Sequence, residues 1–296
     1  MDIKDQILEI QKLINLNKLS KANVICEKLI KKFPKNSYFY NLNGLILQKK
    51  GNIRGSIGYF QKATILQKDN YVAMNNLANS HKSLFEYELA ENLYIKIIKE
   101  DPKNIKALNN YANLKKELNK YNDAKNLLLE ALKIDPQNKY ILSNMASCCQ
   151  GIGEIEQAKK YAQKVESLQP KDTFNHRLLS SMIKYEKEND HLKKMKKLLL
   201  IEDFQNFSSQ EKQDLYFALG KAHEDFGDFE NSYKFLSKAN SLENQNNNFE
   251  ILNTIKLFDN IIKLFNETKL ESSQKLVSQK KIIFICGMPR SGTTLV

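Results

Sequence analysis

The sequence is poor in arginine and has no apolar run long enough to span a membrane. Its 296 residues carry a formal net charge of +12, yet only three of the 46 basic residues are arginine. Arginine is the main planar, bidentate reader of bases. The lysines that supply the charge are spread along the chain among Glu and Asp. We therefore expect solvated helix faces and no nucleic-acid partner, and a lysine-rich nucleic-acid binder is the weakest hypothesis.

Cysteine is also scarce, and its spacing excludes the common metal and disulfide frameworks. The four cysteines form no C-x-x-C pair and no Cys/His metal pattern, so we expect no metal and a reduced, cytoplasmic protein. The N-terminal segment has no apolar signal core, so we expect that the chain is not secreted and has no membrane partner. The histidines fall in helical segments and are expected to be surface or packing residues. They are His81, His176, His191 and His223.

The sequence does contain a repeat of 34 residues, marked by prolines. A fixed period of this length indicates stacked supersecondary units rather than one globular core. Proline stands at position 32 of the repeat, except where Lys68 replaces it. The prolines are Pro34, Pro102, Pro136 and Pro170, and the units are Ile3–Asn36, Ser37–Asn70, Tyr71–Asn104, Ile105–Asn138 and Lys139–Asp172.

Residue types within the unit predict two antiparallel helices. Positions 8 and 20 are small in nearly every unit, which lets the two helices approach closely. Position 15 is Asn or Gly except at Phe85, as expected of a left-handed residue that ends a helix, and proline then stops the second helix. This pattern resembles the tetratricopeptide repeat, which implies an all-α solenoid. The small residues are Gly44, Ala78, Ala112 and Ala146 at position 8, and Ala22, Ser56, Ala90, Ala124 and Ala158 at position 20.

Composition and periodicity divide the chain into five segments. Residues 1–172 hold five repeats, 173–212 a degenerate helical hairpin and 213–246 a sixth repeat after a phase slip. Residues 247–280 are predicted to form one amphipathic helix, within Phe249–Leu270, and a linker. Residues 281–296 begin a second domain. The predicted fold is an all-α tetratricopeptide-repeat solenoid, followed by the first strand and phosphate loop of a truncated α/β domain.

Asparagines recur where the first helix of each unit should line the concave face of the solenoid. These are positions 5 and 9, one helical turn apart, and side-chain amides there can both donate to and accept from an extended peptide backbone. The arrangement is similar to the asparagine ladder of O-GlcNAc transferases, which implies a protein or peptide partner. The alternative is that Asn is common in this sequence and covers a hydrated surface. The asparagines are Asn41, Asn75, Asn79, Asn109 and Asn113.

The last sixteen residues predict a β-strand that leads into a phosphate-binding loop. Ile282 to Cys286 are apolar and mostly β-branched, and Gly287 and Gly292 bound a turn whose backbone amides can converge on an anion. Arg290 adds a positive charge. No lysine stands at the Walker position, so an ATPase or GTPase is not expected. An ordinary strand–turn–helix junction and a nucleotide-binding loop of another class remain alternatives.

The segment Pro289–Thr294 resembles the 5′-phosphosulfate loop of sulfotransferases, P-[KR]-S-G-T-[TS], at all six positions. Repeats followed by such a loop also resemble a bacterial family related to tyrosylprotein sulfotransferases. The resemblance implies transfer of a sulfuryl group from 3′-phosphoadenosine-5′-phosphosulfate to a hydroxyl, such as a protein tyrosine. The residues implied in donor binding are Arg290, Ser291, Gly292, Thr293 and Thr294.

That resemblance also implies that the catalytic base and the 3′-phosphate site lie downstream of the loop. We therefore expect a truncated chain that is inactive by itself. The rival hypothesis is a non-enzymatic tetratricopeptide scaffold for protein–protein interaction. The two differ in whether the reading frame continues as an α/β domain.

Overall fold

The computed structural model describes residues 3–246 and 251–267, which form fifteen α-helices and one 3₁₀-helix, with no strand among them. The chain divides into two compact units, Met1–Glu243 and Asn244–Val296. The predicted strand and phosphate loop, residues 281–296, lie outside the described residues.

The first unit begins with five antiparallel helix pairs, one for each sequence repeat. We call the first helix of each pair the A helix and the second the B helix. The A helices are α1 (Ile3–Asn15), α3 (Ser37–Lys49), α5 (Tyr71–Ser83), α7 (Ile105–Glu117) and α9 (Lys139–Ile152). The B helices are α2 (Leu19–Lys32), α4 (Ile53–Leu66), α6 (Tyr87–Glu100), α8 (Tyr121–Ile134) and α10 (Ile155–Leu168). The predicted all-helical solenoid is confirmed.

Asparagine at the last position of each of the first four repeats caps the next A helix. The side chains of Asn36, Asn70, Asn104 and Asn138 each accept a hydrogen bond from a backbone N–H in the first turn of α3, α5, α7 or α9. Each such cap contributes about 1 kcal/mol to the stability of its helix. The residue just before each A helix therefore fixes where that helix begins.

The turn between the A and B helices is left-handed in all five repeats. Glycine supplies this conformation at Gly51 and Gly153, and asparagine supplies it at Asn17 and Asn119. Phe85, which breaks the sequence rule, adopts the same conformation with φ of 61°, and 77% of its surface is exposed. The turn geometry is thus imposed by the repeat even where the residue type disfavours it.

Small residues at position 8 allow α3, α5 and α7 each to meet a large side chain of its own B helix. Gly44 faces Phe60, and a Cβ built on Gly44 would lie 2.5 Å from Phe60 Cε1. Ala78 and Tyr94 occupy the same two positions in the next repeat, and both are fully buried. The core is therefore a row of small-to-large contacts, as the small-residue pattern predicted.

The A helices lie on the more tightly packed side of the array. Each of α3, α5 and α7 contacts the A helix of the following repeat in addition to its own B helix, and the B helices approach one another less closely. This asymmetry places the A helices on the inner side of the superhelix.

The periodic packing changes after the fifth repeat. The helices are then α11 (Thr173–Ser180), α12 (Asp190–Leu198), a 3₁₀-helix (Glu202–Asn206), α13 (Ser209–Asp225) and α14 (Phe229–Asn246). The helix α13 begins four residues before the predicted sixth repeat, because Ser208 and Glu211 form a reciprocal capping box. Gly220 packs against Leu236, and Gly227 has φ of 79°, so α13 and α14 repeat the features of the earlier pairs.

The second unit contains α15 (Ile251–Glu267), within the segment where the sequence predicted one amphipathic helix. No helix in the described ranges is both long and apolar enough to cross a membrane.

Candidate protein-binding surface of the repeats

The A helices carry a row of amide hydrogen bonds that join successive repeats. In each bond, Asn at position 6 of one repeat donates to Asn at position 5 of the repeat before it. We call this set the asparagine row. Its pairs are Asn76 Nδ2 to Asn41 Oδ1 at 2.9 Å, Asn110 Nδ2 to Asn75 Oδ1 at 3.2 Å and Asn144 Nδ2 to Asn109 Oδ1 at 2.8 Å.

Three predicted peptide-binding residues, Asn41, Asn75 and Asn109, are the acceptors of this row. Asn41 and Asn75 are each 7% exposed, and Asn109 is half-buried. Their Nδ2 groups make no hydrogen bond to the described residues, and they are not among the fully buried atoms that lack a partner. Each side chain is therefore fixed through its oxygen and keeps an N–H group for a partner on the inner side.

The two predicted residues at position 9 have different surroundings. Asn79 Oδ1 accepts a hydrogen bond of 2.5 Å from the Tyr94 hydroxyl, which ties Asn79 to the B helix of its own repeat. Asn113 is half-buried and makes no side-chain hydrogen bond to the described residues. The five asparagines thus share the A-helix side, and their role in peptide binding stays a prediction.

Lysines extend the polar surface toward the C-terminal ends of the A helices. Lys82 pairs with Glu117 of the next repeat at 2.5 Å, and Lys116 donates to Asn144 Oδ1 at 3.0 Å. Burial lowers the pKa of Lys116, and the nearby charge of Lys82 lowers it further. The lysines at this end of the surface therefore already have partners within the array.

A row of exposed apolar side chains, which sequence reasoning missed, runs beside the asparagines. It lies at position 2, one helical turn before position 5, and so on the same helix face. The repeat could have revealed this row, because its residues are separated by 34 positions or by a multiple of 34. We call them the position-2 row: Tyr38 at 41% exposed, Val72 at 55%, Tyr140 at 66% and Phe174 at 54%. The row is interrupted in the fourth repeat, where position 2 is the exposed Lys106.

The predicted donor-binding residues cannot be placed beside this surface. Arg290, Ser291, Gly292, Thr293 and Thr294 lie outside the described residues. The donor site therefore stands on the sequence motif alone.

Comparison with known proteins identifies the repeats. Models of the tetratricopeptide repeat match residues 72–99, 93–126, 117–183 and 213–246. No curated protein sequence matches the chain.

Solved structures share the fold at low sequence identity. A tetratricopeptide repeat protein from Parabacteroides merdae is 18% identical, with a TM-score of 0.59 over 81% of this chain and 92% of that one. PilF of Pseudomonas aeruginosa is 20% identical, with a TM-score of 0.53 over 73% and 93%. A chain of the APC/C hetero-tetramer Cut9–Hcn1 is 13% identical, with a TM-score of 0.62 over 79% of this chain and 45% of that one. At such identities the likeness concerns the fold alone. Together with the family models, it identifies residues 72–183 and 213–246 as tetratricopeptide repeats within an all-helical solenoid.

Proposed function

We propose that the repeats bind a protein or peptide partner in extended form along the A helices. The observation that carries the proposal is the asparagine row, which is continuous over four successive repeats. Because each acceptor asparagine is held through its oxygen, its N–H groups are pre-oriented, and little side-chain entropy is lost on binding. Peptide carbonyls are the groups that such donors fit.

The position-2 row supports the same proposal. Side chains of an extended peptide alternate in direction, so a backbone held by the amides can turn alternate side chains toward a neighbouring apolar row. Tyr140 and Phe174 present large, exposed rings at equivalent positions of α9 and α11. Aromatic residues of this kind contribute strongly to protein recognition.

A peptide library tests this function directly. Peptides are first selected from a random display library on the full chain. Their affinity is then measured by fluorescence anisotropy for the wild type and for one variant. In this variant Asn75, Asn79, Asn109 and Asn113 are all changed to Ala. Each lost hydrogen bond costs about 0.5–1.5 kcal/mol, so the affinity should fall at least about tenfold. Unchanged affinity in this variant would show that the amides do not hold the peptide.

A matched control and a second variant keep the test independent of stability. Asn122→Ala with Asn126→Ala removes two exposed amides from the B helix α8 and should leave the affinity unchanged. Tyr140→Ser with Phe174→Ser alters exposed side chains of the position-2 row. It should weaken binding while the thermal unfolding temperature changes little.

We further propose that the array serves a sulfotransferase and recruits its hydroxyl acceptor, such as a protein tyrosine. The six-position match at Pro289–Thr294 supports this second function. The donor in this proposal is 3′-phosphoadenosine-5′-phosphosulfate, held by Arg290 and by the amides and hydroxyls of Ser291 to Thr294. The general base must come from a domain that follows the loop.

Donor affinity tests the enzymatic proposal. In a protein that contains the complete domain, Arg290→Ala should weaken donor binding by about 1.5–3 kcal/mol, because a charge-assisted contact is lost. Arg54→Ala changes an exposed arginine in the array and serves as the control. Equal donor affinity in both variants would refute the assignment.

The alternative is a scaffold that has no enzymatic role, and the gene sequence beyond the Val296 codon distinguishes the two. A continuing frame of about 150–250 residues with alternating strands and helices supports the enzyme. An immediate stop codon supports the scaffold.

A further inference from the structure

A buried cluster of one glutamate and two histidines lies where the regular repeats end. Glu166 belongs to α10, His176 to α11 and His191 to α12, and they are 9%, 1% and 7% exposed. One nitrogen or oxygen atom from each lies within 4.8 Å of the other two. No metal-binding pattern is visible here in the sequence, because the three residues come from separate helices with no characteristic spacing.

The hydrogen bonds around the two histidines define their tautomers. The Pro170 carbonyl can only accept, so His176 Nε2 carries the hydrogen in the bond of 2.9 Å between them. His176 Nδ1 is then an acceptor, and His191 Nε2 donates to it at 2.8 Å. His191 Nδ1 accepts in turn from the Tyr185 hydroxyl at 2.6 Å. Burial lowers the pKa of both histidines, so both are neutral at neutral pH.

Glu166 is not satisfied by this chain of hydrogen bonds. Its Oε2 accepts from Lys194 Nζ at 2.8 Å, but its Oε1 is buried and has no hydrogen-bond partner. The nearest cluster atom is His191 Nε2 at 3.8 Å, and a neutral His191 forms no ion pair. A buried carboxylate oxygen without a donor is costly and marks a group that a cation can satisfy.

We propose that Glu166 Oε1, His176 Nδ1 and His191 Nε2 bind a divalent transition metal of the zinc type. Zinc takes two imidazole nitrogens and one carboxylate oxygen at about 2.0–2.2 Å, which places tetrahedral ligand atoms about 3.3 Å apart. The distance between the two histidine nitrogens is about half an ångström shorter than this value, and that between Glu166 and His191 is about half an ångström longer. The three ligand atoms lie within 4.8 Å of one another, so metal binding requires the Glu166 carboxylate to move toward the two histidine nitrogens.

When the metal binds His191 Nε2, the hydrogen on that atom must move. The neutral ring changes tautomer, so that the hydrogen moves to Nδ1 and the Tyr185 oxygen accepts it. Each ligand is then held by a second residue: His176 by the Pro170 carbonyl, His191 by Tyr185 and Glu166 by Lys194. Such outer partners orient metal ligands and raise affinity.

The position of the cluster indicates a structural role. Its ligands join the B helix of the fifth repeat to α11 and α12, where the periodic packing is lost. A cavity of about 370 Å³, lined partly by Glu166, Pro170 and Lys194, lies beside the cluster. The metal fixes the irregular hairpin to the last regular repeat.

Cobalt and zinc titrations of the full, chelator-treated chain test the site. We expect one equivalent of cobalt to give the intense visible absorption of tetrahedral coordination, without a thiolate charge-transfer band. Zinc should compete for the same site and raise the thermal unfolding temperature. The absence of a tetrahedral cobalt spectrum overturns the proposal, and this result needs no variant.

Variants then assign the ligands. Glu166→Gln and His176→Gln should each lower zinc affinity at least about 100-fold. His223→Gln is the matched control, because His223 is also buried, at 4% exposed, but pairs with Asp228 away from the cluster. Wild-type zinc affinity in both ligand variants, or an equal loss in the control, overturns the proposal.

Discussion

A buried ion pair joins the third and fourth repeats, and breaking it should destabilise the array. Lys115 Nζ lies 2.6 Å from Glu91 Oε1, and the Tyr111 hydroxyl donates to the same oxygen at 2.5 Å. Lys115 is only 8% exposed, and the side chain of Glu91 is 27% exposed. Asp123, at 4.0 Å, is the other acidic partner of Lys115 among the described residues. The ammonium group therefore depends mainly on Glu91.

The expected loss follows from how unequally the two partners are buried. Breaking a fully buried pair costs about 3–5 kcal/mol, whereas an exposed pair contributes less than about 1 kcal/mol. Glu91→Gln leaves the ammonium of Lys115 buried, so we expect a loss of about 2 kcal/mol in the free energy of unfolding. Lys115→Met keeps the apolar stem, and water can reach Glu91, so its cost should be about 1 kcal/mol. The double variant should also lose about 1 kcal/mol, which makes the two changes strongly non-additive.

Urea unfolding followed by circular dichroism and by tyrosine fluorescence measures these values. Two probes are needed because long repeat arrays can unfold in steps. Glu156→Gln is the control, since Glu156 pairs with Lys159 on the surface with its side chain 81% exposed, and this variant should change little. If Glu91→Gln is as stable as the wild type, or if the two costs simply add, the buried-charge argument is wrong.

The same pair predicts a dependence on pH. Burial raises the pKa of Glu91, but hydrogen bonds from Lys115 and Tyr111 outweigh it and hold the pKa below its usual value. A lowered folded-state pKa stabilises the protein above the unfolded value of about 4.3, and this contribution is lost as the pH falls through the folded-state pKa. The difference between the wild type and Glu91→Gln should therefore be full at pH 7 and shrink below about pH 4.

Three further changes test the packing and the turns by urea or thermal unfolding. Gly44→Ala should cost about 1–3 kcal/mol because the new Cβ meets Phe60, and Phe60→Leu should recover part of that loss; a neutral Gly44→Ala would contradict the contact. Asn43→Leu should raise the free energy of unfolding by about 1–2 kcal/mol, because both amide atoms of Asn43 are buried without a partner. A lower free energy of unfolding would mean that water satisfies these atoms. Phe85→Gly should be about 1 kcal/mol more stable than Phe85→Ala, because residue 85 has φ of 61°, which glycine adopts without strain. If the alanine variant is the more stable one, the backbone at this position is not strained.

The periodic features of the fold could be predicted because each repeat provides another test of the same contact. The small residue Gly44 has its counterpart in Ala78, 34 residues later, and the turn residue Gly51 has counterparts in Asn17, 34 residues earlier, and Asn119, 68 residues later. The backbone at Phe85 shows the limit of this reasoning. The residue type alone disfavours a left-handed turn, but the two flanking helices, already fixed by their packing, impose it.

The candidate sites were harder to predict because they depend on contacts between repeats. Position 5 was identified as a row of amides, but its pairing with position 6 of the next repeat, as in Asn75 with Asn110, required the superhelical offset. The cluster of Glu166, His176 and His191 lies beyond the last regular repeat, so no period indicates its geometry. The donor loop is the opposite case. Its sequence motif is specific, but its residues lie outside the described structure.

The asparagine row restricts what the proposed complex can recognise. An unpaired amide both donates and accepts, so a free ladder could hold the N–H and the C=O groups of a peptide. Here the oxygens of Asn41, Asn75 and Asn109 already accept from the next repeat, whereas their N–H groups have no partner among the described residues. These three amides therefore fit the carbonyl groups of a partner best. A proline in the bound segment keeps its carbonyl and should therefore be tolerated wherever its fixed φ fits the bound conformation, and selectivity must come from the position-2 row.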